Sequence, residues 1–191
     1  MDTIYQKIRV ATVAPVLATL FLVVLRLSRP ELFTVPGSFA VLLLSLGPMP
    51  LLAYPMQKHL PRFRNRGRKG QRLLAMIFAV FGYILSAVLL VVIKAPRELL
   101  LISLEYLISG AVLLVINRCF GIHASGHACG AIAPVVLFLS FREWALAMVG
   151  CVIAVVTFIA SVRTGRHTSG QLMGGLVITS LVGLFLNCVL L

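Results

Sequence analysis

The sequence predicts an all-α protein, a polytopic integral membrane bundle of six or seven transmembrane helices. Three observations carry that reading. Of 191 residues, 60% are hydrophobic and 12% charged, and the mean hydropathy is +1.06. The apolar residues form runs near the length of about 20 that a bilayer crossing needs. The charges gather in the gaps between those runs. Such a composition leaves no room for a soluble domain, so residues 1–191 read as a single membrane domain. The net charge of +12 would suggest nucleic acid in a soluble chain. Confined to short loops between membrane helices, it points to lipid headgroups or bound phosphate, and no nucleic-acid partner is expected.

Seven apolar segments follow in order: 10–27, 38–54, 73–93, 98–116, 127–141, 143–162 and 170–191. Lys7 and Arg9 precede the first, and no small-x-small cleavage pattern follows it, which predicts an uncleaved first helix. Pro48 and Pro50 predict a kink or an early stop in the second. The fifth is short and contains Pro134, so part of the turn before it is expected to continue it as helix. Little more than Arg142 separates the fifth from the sixth, which predicts an antiparallel hairpin. The four cysteines (Cys119, Cys129, Cys151 and Cys188) form no Cys-x-x-Cys pair; they read as small buried hydrophobes, neither a zinc site nor a redox pair.

With seven crossings, the N-terminus, 56–72, 117–126 and 163–169 share one side and hold twelve of the seventeen Lys and Arg residues. The positive-inside rule makes that side cytoplasmic and the protein a resident of the cytoplasmic membrane. All four histidines (His59, His123, His127 and His167) fall on it too. Glu105 lies about two turns into the fourth segment. An intramembrane carboxylate is a functional candidate or the buried partner of a Tyr or Ser on another helix.

A short pattern occurs twice. His123-Ala124-Ser125-Gly126-His127-Ala128-Cys129-Gly130 and His167-Thr168-Ser169-Gly170-Gln171-Leu172-Met173-Gly174 share His, any residue, Ser, Gly, His or Gln, two residues, Gly. Each copy stands where a polar turn becomes an apolar run and so should cap a helix start. Helix starts present unpaired N–H groups to anions, and Gly lets backbone approach a ligand closely. If helical, His123 and His127 lie one turn apart, as do His167 and Gln171. Two histidines facing one phosphate divide the work: one imidazole attacks phosphorus and the other protonates the departing alkoxide. The loop 58–72 supplies basic residues and no acid. Its Arg66, Lys69 and Arg72, three apart, share a face if the third helix starts early, and suit phosphate recognition. The competing chemistry is a metal held by His123, His127 and His167. A cationic setting without a second-shell carboxylate disfavours a dication, so neither metal nor cofactor is expected.

On these residues the sequence resembles the type 2 phosphatidic acid phosphatase superfamily, membrane lipid phosphatases that share a helical core with vanadium haloperoxidases. The resemblance covers residues 58–175 and rests on Ser125-Gly126-His127, the following helix hairpin, and His167 before the last helix. It implies that His167 is the nucleophile, His127 the general acid, and Ser125 and Gly126 phosphate donors. The family's third motif expects an arginine where Ser161 stands and an aspartate where Gln171 stands. Arg163 or Arg166 would then hold the phosphate, and Gln171 would orient the imidazole by hydrogen bonding without adding charge. The first motif is absent as written, and Lys69 and Arg72 stand in for it.

The function expected is metal-independent hydrolysis of a phosphate or diphosphate monoester on a membrane lipid, of polyprenyl phosphate or phosphatidate type, through a phosphohistidine. The alternatives are a lipid-phosphate-binding protein without turnover and a histidine-ligated metal transporter.

Overall fold

The computed structural model describes residues 2–191, and these form helices with no strand among them. Five helical stretches are long and apolar enough to cross a membrane: Ser38–Met56, Gly67–Val92, Arg97–Cys119, Trp144–Arg163 and Ser169–Leu190. A sixth span arises if the bent pair at the N-terminus counts as one. The protein is an all-α integral membrane protein. Its outward face carries large apolar side chains such as Phe81, Val88, Met148 and Leu184, while Ser86, Glu105, Thr157 and Thr179 are buried. That inversion suits a hydrocarbon solvent, in which packing and internal hydrogen bonds hold helices together.

The chain divides into two compact units, one formed by the chain up to Leu17 with Leu104–Leu191, the other by Ala18–Ser103. Helices α1 (Asp2–Ala11) and α2 (Ala14–Ser28) meet at a 56° bend. Pro15 explains the break, because it lacks the N–H that would continue the ladder from α1.

In the second unit, the segment with Pro48 and Pro50 is broken as those residues predict, into α3 (Ser38–Leu46), α4 (Pro48–Leu51) and α5 (Ala53–Met56). After α6 (Pro61–Arg64) comes α7 (Gly67–Val92), against which α3 and α4 pack. Gly82 of α7 leaves no room for a Cβ against the Ser45 carbonyl. Arg26 donates to the Phe33 carbonyl at 3.0 Å and lies over the Phe33 and Phe39 rings.

The first unit contains α1, most of α8 (Arg97–Cys119), α9 (Gly126–Ser140), α10 (Trp144–Arg163) and α11 (Ser169–Leu190). Helix α9 is its centre, packed against α10 and α11, with α1 along α10. Its fifteen residues extend about 22 Å, less than the hydrocarbon thickness of about 30 Å. The turn before it does not lengthen it, contrary to expectation: Ser125 takes extended dihedrals and starts the helix only at Gly126. The hairpin to α10 turns on Arg142 at φ 60°, close to the one-residue turn predicted.

Candidate functional site

The two copies of the repeated pattern converge in the first unit. Ser125 N–H donates to the Gln171 carbonyl at 2.9 Å, which ties the start of α9 to the start of α11. Glycine permits the approach. A Cβ on Gly175 would run into the Ser125 carbonyl and reach 2.8 Å from the Ala128 Cβ. Asn117, in the last turns of α8, clamps the same strand of backbone: its amide donates to the Ala124 carbonyl at 3.0 Å and accepts from Ala124 N–H at 2.7 Å. Ser125 caps α9 as predicted, accepting from Ala128 N–H at 3.3 Å, and is buried.

The glycines of the pattern differ in their surroundings. Its last glycine serves helix packing in both copies: a Cβ on Gly130 would collide with Ala14, and one on Gly174 would sit 3.1 Å from the Ala124 Cβ. Gly126 is exposed with only Leu113 Cδ2 at 3.3 Å, and Gly170 has open space around it.

His167 stands just before α11, partly buried. Its Nδ1 is 3.2 Å from Gln171 Oε1. The same Oε1 accepts from Thr168 N–H at 3.2 Å, while Thr168 Oγ1 accepts from Gln171 N–H at 3.3 Å. This is a reciprocal capping box, in which side chain and backbone satisfy each other's unpaired donors. It also decides a tautomer. A backbone N–H only donates, so the amide oxygen, not the amide nitrogen, faces Thr168 and His167. Nδ1 of His167 therefore carries a proton, which makes Nε2 the lone-pair nitrogen whenever the ring is neutral. Gln171 orients the imidazole as the sequence predicts, by way of the cap; His167 itself lies outside the helix.

His127 lies in the first turn of α9, at the polar end of this short helix, partly buried. Its Nε2 is buried without a hydrogen-bond partner among the described residues. Burial, and then the positive charges of His167 and Arg9, push its pKa from the ordinary 6.5 down to about 4. The resting imidazole is neutral at physiological pH.

The remaining predicted residues are distributed as follows. His123 is exposed in the extended segment before α9, so it does not share a helix face with His127. Arg163, in the last turn of α10, and Arg166, in the following turn, are both exposed. Ser161, where the resemblance expects an arginine, is fully buried and donates to the Thr157 carbonyl at 2.8 Å. Arg66, Lys69 and Arg72 belong to the second unit, exposed at the start of α7, which does begin early, at Gly67. Among the described residues no group of three His, Cys, Asp or Glu side chains is placed to hold a metal ion. Glu105 is fully buried in α8, accepts from Ser109 Oγ at 3.1 Å, and turns Oε2 toward Gly183.

One residue whose charge acts on His127 was no candidate in the sequence. Arg9, counted there only as a topological charge, stands in the last turn of α1 with its Nε buried and its charge felt by His127. Its separation from His127 along the chain hides that relation.

No family model matches the chain, and no curated protein or solved structure matches it.

Proposed function

We propose that this protein is an integral membrane phosphatase that hydrolyses a phosphate or diphosphate monoester on a lipid, of polyprenyl phosphate or phosphatidate type, through a phosphohistidine. The observation that carries the reading is the hydrogen bond of His167 Nδ1 to Gln171 Oε1, which leaves Nε2 as the lone-pair nitrogen of the neutral imidazole. An imidazole so prepared is a nucleophile at neutral pH. Its Nε2 lone pair attacks phosphorus, the bond from phosphorus to the lipid oxygen breaks, and the departing alkoxide takes a proton from His127. Water then attacks phosphorus and passes a proton back to His127. The phosphorus–nitrogen bond breaks, inorganic phosphate leaves, and the His167 lone pair returns. His127 is neutral at rest, and it gains its proton when a phosphate anion lies beside it and offsets the neighbouring positive charges.

The site sits at helix ends of a chain made almost wholly of membrane helices, which favours lateral arrival of a lipid substrate from the bilayer. The basic-residue balance assigns the motif side to the cytoplasm and the protein to the cytoplasmic membrane. Phosphate release by the purified protein, measured over a panel of phosphatidate and polyprenyl phosphates in chelator, tests the activity. Turnover of at least one lipid phosphate, lost in His167→Ala, is the expected result. Binding of those lipids without release would favour the second reading, a lipid-phosphate-binding protein without turnover. The burial of Ser161 in the arginine's place is the observation on that side.

A further inference from the structure

We infer that Arg9 is a phosphate-binding residue of this site, holding the anion beside His127 and His167 where Ser161 leaves the third motif without its arginine. The inference rests on the phosphate-site reading given above.

The packing of the first unit brings Arg9 there. Helix α1 lies along α10. The junction between α1 and α2 sits on the first turns of α9, where Gly130 has no room for a Cβ because Ala14 fills the space. Leu17 continues the contact in one apolar cluster with Ala131, Ile132 and Ala154. Arg9 occupies the last turn of α1, just before that junction, and its Nε is buried. Its buried Nε turns the side chain inward just ahead of that junction, and the junction contact at Gly130 is three residues along α9 from His127.

The chemistry of the place follows from its charges. Arg9, His127 and His167 come from α1, α9 and the segment before α11, and positive charge on Arg9 and His167 opposes protonation of His127. Like charges held together in a partly buried setting gain from an anion between them. Among these groups only the guanidinium is permanently charged, and its planar fork matches two phosphate oxygens at once. The exposed Arg163 and Arg166 lose more to solvent screening. Ser161 is bonded to its own helix and offers no cation. Arg9 supplies the charge from a different part of the chain.

The test is binding of inorganic phosphate to the purified full chain, read by calorimetry and so independent of turnover, with KM and kcat on a lipid phosphate measured beside it. Arg9→Gln should weaken phosphate binding at least tenfold and raise KM, with Arg9→Lys intermediate because it keeps the charge and loses the fork. Wild-type phosphate affinity in Arg9→Gln, or no phosphate binding by the wild-type protein, would overturn the inference. If Arg9→Gln fails to fold, Arg9→Lys decides: a several-fold loss supports the assignment and unchanged affinity refutes it. Arg9-dependent phosphate binding in a protein that releases no phosphate from lipids would sink the phosphatase reading and leave Arg9 standing. Full turnover with Arg9-independent binding would do the reverse.

Discussion

At the scale of single residues, the capping box at the start of α11 links folding to chemistry, because Gln171 Oε1 serves both the Thr168 N–H and His167 Nδ1. A glutamate has the same reach, is equally suited to the third position of a capping box, and adds negative charge beside the imidazole. Gln171→Glu should therefore keep or raise kcat, and Gln171→Leu should lower it by about 10–100-fold, as loss of an orienting partner does. Similar rates in wild type and Gln171→Leu would show that the tautomer is set elsewhere. A second residue-scale expectation concerns acid. The folded pKa of His127, about 4, lies below its ordinary 6.5, so between those values the unfolded chain binds the additional proton. The stability linked to His127 is present in full above about pH 6.5 and is lost as pH falls toward 4. In detergent, the Tm of wild type should fall more steeply from pH 7 to pH 4.5 than that of His127→Gln. Parallel curves would place the imidazole in water. The His167–Gln171 contact was legible in the sequence because it is local, within four residues; the cap itself falls on Thr168, one residue before the Ser169 of the pattern. The effect of Arg9 on His127 was not legible, because it depends on how α1 packs.

At the scale of helices, small residues decide how closely α11 and α9 approach. Gly175 faces the Ser125 carbonyl without room for a methyl group, while Gly170, two residues into α11, faces open space. Gly175→Ala should destabilise by ~1–3 kcal/mol through overpacking and reduce activity by separating the two helix starts. Gly170→Ala should be neutral or stabilising by up to ~1 kcal/mol, since alanine is the better helix former. Thermal denaturation of both variants checks the contrast, and equal effects would mean that the contact yields freely. The sequence showed Gly170 and Gly174 as members of one pattern in which Gly175 has no part. Which of them meet a helix and which face open space is a matter of tertiary contact, and glycine spacing does not encode it. The same limit applies to the fifth apolar segment: its hydrophobicity was plain, yet the extended backbone at Ser125 follows from its bond to Gln171, a partner 46 residues later.

For the whole molecule, the fold class was legible because apolar runs of spanning length admit few structures other than helices in a bilayer. The division into two compact units was not, since it falls inside α2 and α8, where the sequence shows no change of composition. Sidedness is testable at the basic loop. Arg68, exposed in the first turn of α7, changed to Cys in a background lacking the native cysteines, should resist an impermeant thiol reagent in intact cells and react after lysis. Labelling in intact cells would turn the molecule over. The central claim, that His167 is the nucleophile of a lipid phosphatase, is tested most directly by acid-free quenching of a single turnover with radiolabelled lipid phosphate. Wild-type protein should carry covalently bound phosphate as an acid-labile, base-stable adduct, and His167→Ala should show neither adduct nor turnover. Undiminished phosphate release by His167→Ala would contradict it.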